Sequence, residues 1–180
     1  MPVSPSDNDN NAGAKLALRD FTPHRLNVLA RIVSEGFVNS YAQEAAAFGI
    51  GPAEWRIISF LGERLDSPQS KKGMTARDIG ARTFMQKVQV SRAILKLENK
   101  RLIMRRINLE DRREVFLKLT AAGVRIYHAI VPIALAYQRE LTQGLAAGDL
   151  KQLDRIMEVL QGNAKRLLEQ GGASPGEQEE

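Results

Sequence analysis

Cysteine is absent from the 180-residue chain, and histidine occurs only twice, as His24 and His128. A chain without cysteine can form no disulfide bond and carries no thiol-based redox switch. The two histidines lie far apart in the sequence, so the residues that usually bind zinc are almost missing. We therefore expect no metal site and no cofactor.

Long apolar runs are also missing. No run approaches the roughly 20 residues needed to cross a bilayer, and residues 1–15 contain no apolar core of a signal peptide. The hydrophobic fraction of 43% is ordinary for a soluble globular protein. These patterns predict a cytoplasmic protein that does not contact a membrane.

Catalytic motifs are lacking as well. The sequence has no glycine-rich phosphate-binding loop, no cluster of metal ligands, and no serine nucleophile with a plausible histidine base. The two histidines are more typical of ordinary core or surface groups than of catalysts. We predict that the protein is not an enzyme.

Residues 74–120 carry the clearest pattern in the chain. Their helical part contains four apolar residues at positions i, i+3, i+4 and i+7, which form one face of a helix: Val90, Ala93, Ile94 and Leu97. After Leu102 the period becomes two, and two strand-like runs are separated by a charged turn. This order predicts a mainly α fold with a small two-stranded β-wing, that is, a winged helix-turn-helix plus a helical dimerisation region.

Positive charge is concentrated in the same segment. Residues 71–118 contain 14 lysines and arginines against 5 acidic residues, a net charge of +9, whereas the whole chain carries +5 and the remainder therefore −4. A merely solvated surface would mix both signs evenly. A concentrated basic surface is typical of phosphate binding, and it predicts double-stranded DNA as a partner.

The segment resembles the wing region of the MarR (multiple antibiotic resistance regulator) family of bacterial transcription regulators. That family shows a leucine-containing recognition helix, an arginine-bearing strand, an Asp-Arg/Lys-Arg wing tip and a strand that ends in Leu-Thr-x-x-Gly. The family usually has a glycine at the end of the recognition helix, where this chain has Arg101. The matching residues are Leu97, Glu98, Lys100, Leu102, Ile103, Arg105, Asp111, Arg112, Arg113, Leu117, Leu119, Thr120 and Gly123.

Several exposed positions are candidates for DNA contacts. A recognition helix places its N-terminal residues nearest the base edges, and glutamine pairs with adenine as arginine does with guanine. The candidates on this helix are Gln86, Lys87, Gln89, Ser91, Arg92 and Lys96, of which Ser91 and Lys96 suit phosphates. The resemblance implies wing contacts by Arg105, Asp111, Arg112 and Arg113, with Arg113 near the minor groove. Alternatively, the Asp-Arg pair only stabilises a turn.

The remaining chain predicts helices around this module. We expect a flexible arm over residues 1–20, a dimerisation helix over 21–48, the winged helix-turn-helix over 50–120, dimerisation helices over 121–168 and a disordered tail over 169–180. The C-terminal helices carry more apolar surface than a small winged domain can cover, which favours a homodimer, as the resemblance also implies.

These observations predict a homodimeric DNA-binding transcriptional regulator, most simply a repressor of a pseudo-palindromic operator. The alternative is a winged helix that binds protein without specific DNA binding. The resemblance also implies a pocket for a small ligand, and aromatic walls with one cation would suit an aromatic anion. The candidate positions for this pocket are Phe37, Tyr41, Trp55, Arg56, Ser59 and Tyr127. The alternative is that these residues belong to the ordinary core and surface and form no ligand pocket.

Overall fold

The computed structural model describes residues 15–65, 73–107 and 114–171, which form helices and one small sheet. The predicted mainly α architecture with a β-wing is confirmed. In chain order the elements are α1 (Thr22–Phe48), α2 (Pro52–Gly62), β1 (Met74–Thr75), α3 (Ala76–Thr83), α4 (Lys87–Asn99), β2 (Ile103–Ile107), β3 (Val115–Leu119), α5 (Ala121–Leu141) and α6 (Ala147–Gly171).

The sheet has three strands rather than the two that were predicted. β3 lies in the centre, antiparallel to both neighbours, in the order β1-β3-β2. In the hairpin Arg105 pairs with Leu117, and on the other edge Thr75 pairs with Phe116. β1 has only two residues, too few for an alternation of side chains to be recognised in a sequence. Phe116, which pairs with Thr75 of β1, is buried although it follows the outward period of β3.

The core of the winged domain lies between α2, α3 and α4. The four apolar residues predicted to line one face of α4 are all buried, and α4 packs against α2 and α3. Ile57 and Ile58 of α2 and Ile79 of α3 supply the opposing side chains, and all three are fully buried. The predicted amphipathic pattern of α4 is therefore the packing pattern of the folded domain.

Side chains at the helix ends fix where these helices begin. The Glu54 carboxylate accepts a hydrogen bond from the Gly51 N–H at 2.8 Å, at the start of α2. At the start of α3, Thr75 Oγ1 accepts from the Asp78 N–H at 3.1 Å while Asp78 Oδ2 accepts from the Thr75 N–H at 3.1 Å. Each such cap satisfies backbone donors that the first helical turn leaves unpaired.

The described residues up to Tyr137 form one compact unit, and those from Gln138 to Gly171 form a second. In the second unit, α6 has no buried residue, although Leu153, Met157 and Leu160 recur on one side of it. No helix in the described ranges is long and apolar enough to cross a membrane.

The turn after α4 is built on an unusual residue. Arg101 takes φ 55°, in the left-handed region, at the position where the resembled family has glycine. An L-residue pays about 1–2 kcal/mol for that conformation. This backbone conformation allows two hydrogen bonds. The Arg101 N–H donates to the Glu98 carbonyl at 2.8 Å, and the Arg101 carbonyl accepts from Thr120 Oγ1 at 2.8 Å.

We predict that Arg101→Gly raises the free energy of unfolding by about 1 kcal/mol, since glycine adopts the left-handed conformation without steric cost. Thermal denaturation should show a melting temperature about 2–4 °C higher. Asn99→Gly is the matched control, because Asn99 lies within α4 and glycine there should lower the stability. A lower melting temperature for Arg101→Gly would show that its side chain contributes more than the strain removes.

Candidate nucleic-acid interface

The position of α4 decides which side chains the winged domain presents. Successive residues of an α-helix point about 100° apart, so burial of the side with Val90 and Leu97 turns the opposite side outward. Arg92 lies at the centre of that outward side. All six residues predicted for the recognition helix are exposed: Gln86, Lys87, Gln89, Ser91, Arg92 and Lys96.

The predicted residues divide between two flanks of α4. Gln89, Arg92 and Lys96 line a concavity of about 340 Å³ towards the start of α2. Lys87 and Ser91 line a larger cavity of about 720 Å³ between α3, α4 and the wing strands, and Arg105 joins them there. The lining of this second cavity is mostly apolar, and its cations are Arg77, Lys87 and Arg105.

Two of the polar candidates already have partners within the chain. Lys96 Nζ lies 3.3 Å from Glu54 Oε1, and the Glu54 side chain is only 7% exposed. Gln89 Oε1 accepts a hydrogen bond from the Gln86 N–H at 3.3 Å, so it caps the helix to which it belongs. Gln89 therefore offers its amide N–H groups outward more readily than its oxygen.

The wing arginine Arg105 is held by the recognition helix. Its Nε donates to Glu98 Oε1 and its Nη2 donates to Glu98 Oε2 at 2.9 Å, a two-point pairing between β2 and α4. The hydrogen bond to Glu98 raises the pKa of Arg105, with burial acting in the opposite direction. The other predicted wing residues, Asp111, Arg112 and Arg113, lie outside the described residues.

The opposite face of the hairpin is also cationic. Arg106 follows Arg105 on β2, and Lys118 on β3 lies across from Met104. Burial lowers the pKa of Lys118, and the charge of Arg106 lowers it further. Positive charge therefore surrounds the described part of the wing on both faces.

A groove of about 360 Å³ lies between α1, α2 and α5, away from the cationic surface. It contains four of the six residues predicted for a ligand pocket: Phe37, Trp55, Ser59 and Tyr127. The rings of Trp55 and Tyr127 are stacked with centroids 6.3 Å apart. Glu63 also lines the groove.

The remaining two pocket candidates are placed differently. Tyr41 is 2% exposed and packs against Phe37 and Trp55, with ring centroids 4.9 Å and 5.9 Å away. Arg56 lines the concavity next to α4, together with Arg92 and Lys96. The aromatic groove therefore has a carboxylate at its edge, and the cation predicted for it lies elsewhere.

Known proteins share this sequence and geometry. The MarR family model matches residues 48–114. The HTH-type transcriptional regulator MhqR of Bacillus subtilis (strain 168) is 24% identical over 119 residues, which are 66% of this chain and 77% of that protein. A MarR/EmrR family transcriptional regulator from Acinetobacter sp. ADP1 has a crystal structure that matches with a TM-score of 0.71 at 25% identity, covering 84% of this chain and 99% of that one. In sequence over residues 48–114 and in fold, the chain is similar to transcriptional regulators of the MarR family.

Another MarR-like fold was crystallised with nucleic acid. The S. aureus MepR-DNA complex matches this chain with a TM-score of 0.64 at 22% identity, over 80% of this chain and 99% of that one. At that identity the likeness concerns the winged helix-turn-helix fold alone.

Two kinds of residue were not predicted from the sequence. Val88 lies on the outward side of α4 with Arg92 and is exposed, but only polar residues were considered as contacts. The spacing i, i+4 from Val88 to Arg92 would have identified it. The carboxylates Glu54 and Glu98, which hold Lys96 and Arg105, gave no signal in the sequence, because their pairing depends on how the elements pack.

We predict that the stability of the protein falls above pH 10 and that Tyr41→Phe makes this fall smaller. Burial raises the pKa of Tyr41 above its ordinary value of 10.0, and the charge of Arg56 lowers it to a smaller extent. Below pH 10 the neutral hydroxyl carries no penalty. Above it the unfolded state loses the proton first, so the free energy of unfolding falls, by at most about 1.4 kcal/mol per pH unit for one group. Urea denaturation between pH 8 and 11 measures this, and parallel curves for the two proteins would contradict it.

Proposed function

We propose that this chain is a regulator of the MarR type, a homodimeric, sequence-specific DNA-binding protein that represses a pseudo-palindromic operator. The observation that carries the proposal is the two-sided character of α4. Lys87, Arg92 and Lys96 are exposed on it, while the opposite side is packed in the core. Such a helix fits the major groove of B-DNA, with its N-terminal residues nearest the base edges.

Charge supports a nucleic acid as the partner. Arg105 and Arg106 on β2 extend the cationic surface of α4 into the wing. Binding to phosphates releases counterions, which gives affinity and makes it fall steeply with salt. A wing that docks on protein would have no need for this concentration of positive charge, and so the protein-interaction alternative has less support.

Individual roles follow from side-chain chemistry. Arg92, at the centre of the outward side, suits the O6 and N7 acceptors of guanine, and Gln86 suits adenine. Ser91 and Lys96 suit phosphates on either flank. By resemblance to the family, Arg113 would enter the minor groove, Asp111 would orient it, and Arg112 would contact a flanking phosphate.

Unpaired apolar surface supports the homodimer. In the first half of α1, Leu26, Leu29 and Ile32 are exposed, and in α6 the residues Leu153 and Met157 are exposed. A second copy of the chain would cover such stripes. Two-fold symmetry then places the two copies of α4 about one DNA turn apart, so half-sites should lie roughly 10 base pairs apart.

We predict that Arg92→Ala weakens binding to the preferred duplex about 10- to 100-fold, as the loss of one two-point base contact would. The duplex is first selected from a random pool by the wild-type protein, and affinity is then measured by fluorescence anisotropy at two salt concentrations. Arg166→Ala is the matched control, because it removes the same charge from an exposed position on α6. Failure of the wild type to enrich any duplex would favour the protein-interaction alternative.

A small aromatic ligand is proposed to release the DNA, and the groove beside Trp55 is its proposed site. Stacked aromatic walls suit a planar ring. Glu63 in the groove disfavours a negatively charged ring. Arg56, the cation that would favour one, lines another concavity. The ligand would act by binding one arrangement of the two DNA-reading lobes more tightly than the other.

We predict that a small aromatic compound, tested as neutral 4-hydroxybenzamide and as the anion 4-hydroxybenzoate, quenches the fluorescence of Trp55 in a saturable manner and weakens DNA binding. Trp55 is the single tryptophan of the chain, so the signal reports on this groove. Ser59→Phe, which fills the groove, should abolish the response. The matched compound 4-hydroxybenzamide keeps the ring without the charge, and binding of the amide alone would exclude an anion. The absence of a saturable response to either compound would contradict the site.

A further inference from the structure

Two apolar side chains stand exposed at the N-terminal end of the recognition helix. Val88, the second residue of α4, is 57% exposed, and Phe84, three residues before α4, is 78% exposed. Isolated exposed apolar residues are common on protein surfaces and need no explanation. These two occupy the part of a helix-turn-helix that lies closest to the bases.

Val88 points directly away from the core. It lies four residues before Arg92 on the same side of α4, opposite the side on which Val90, Ala93 and Leu97 are buried. Val88, which is more than half exposed, therefore contributes little to the packing of the winged domain. Its flanking residues Lys87 and Gln89 are polar and exposed, so an apolar group is set within a surface that otherwise suits DNA.

Phe84 occupies a conformation that its side chain does not favour. Its φ of 52° and ψ of 23° lie in the left-handed region, where glycine or asparagine is normally found and a bulky residue is an outlier. The ring is exposed, so burial in the core does not compensate for the strain. Neither the turn nor the core accounts for an aromatic residue at this position.

We propose that Val88 and Phe84 contact the 5-methyl groups of thymines in the major groove and thereby set part of the operator sequence. This inference rests on the proposed function. Thymine alone among the four DNA bases presents a methyl group in the major groove, and apolar side chains recognise it by direct contact. Phosphate contacts by the surrounding cations would hold the duplex while these two residues discriminate thymine from cytosine.

The test replaces thymine by deoxyuridine, which removes only the methyl group. The wild-type protein first selects a preferred duplex, and the thymines of each half-site are then exchanged for uracil. We expect the thymine duplex to bind about fourfold more tightly for each methyl group that is contacted, the factor that burial of one methyl group provides. Anisotropy at constant salt measures the ratio of the two affinities.

Substitution of Val88 and of Phe84 shows which of the two side chains causes the preference for thymine over uracil. Val88→Ala and Phe84→Gly should each bring the ratio of thymine to uracil affinity towards one. Both substitutions are compatible with folding, since Val88 is exposed and glycine accepts the left-handed turn. Leu95→Ala is the matched control: Leu95 is also 57% exposed on the outward side, but it lies about 10 Å further along the helix axis. The ratio should persist in that variant.

The outcomes separate this inference from the proposed function. A selected half-site without thymine, or equal wild-type affinity for thymine and uracil, overturns the inference and leaves sequence-specific binding standing. Loss of the ratio in Leu95→Ala rather than in Val88→Ala or Phe84→Gly also overturns it. If no duplex is selected at all, the proposed function fails and the inference fails with it.

Discussion

Burial of one side of α4 is the constraint on which the rest of the winged domain depends. Val90, Ala93, Ile94 and Leu97 fix the rotation of the helix about its axis, because their burial against α2 and α3 is lost if the helix turns. A shift by one residue rotates the pattern by about 100° and would carry Arg92 towards the side of the domain. The core therefore determines which residues can meet a partner.

Acidic side chains organise the cationic surface. Glu54 is almost fully buried and both caps α2 and pairs with Lys96, so its charge is compensated by two partners. Glu98 pairs with Arg105 at two points and thereby links the wing to the recognition helix. In both pairs the cation, Lys96 or Arg105, is exposed to water, and such pairs contribute little stability. Their main effect here is to fix where Lys96 and Arg105 point.

Periodicity predicted the fold well because helix and strand patterns reflect burial directly. It revealed α4 and the hairpin, but the two residues of β1 are too few to form a pattern. Side-chain type alone was a poorer guide to the groove. Trp55 and Arg56 were assigned to one pocket, yet neighbouring helical positions point about 100° apart, and the structure places them at different concavities. The pairing of Glu98 with Arg105 arises only when β2 returns along α4.

Helix α2 serves two surfaces at once. One side carries Trp55 and Ser59 into the aromatic groove, while Glu54 and Ile57 meet the recognition helix and the core. With 11 residues, α2 makes only about three turns, so the two surfaces lie back to back on the same short helix. A substitution that moves α2 at the groove therefore also moves the side chains that pack against α4.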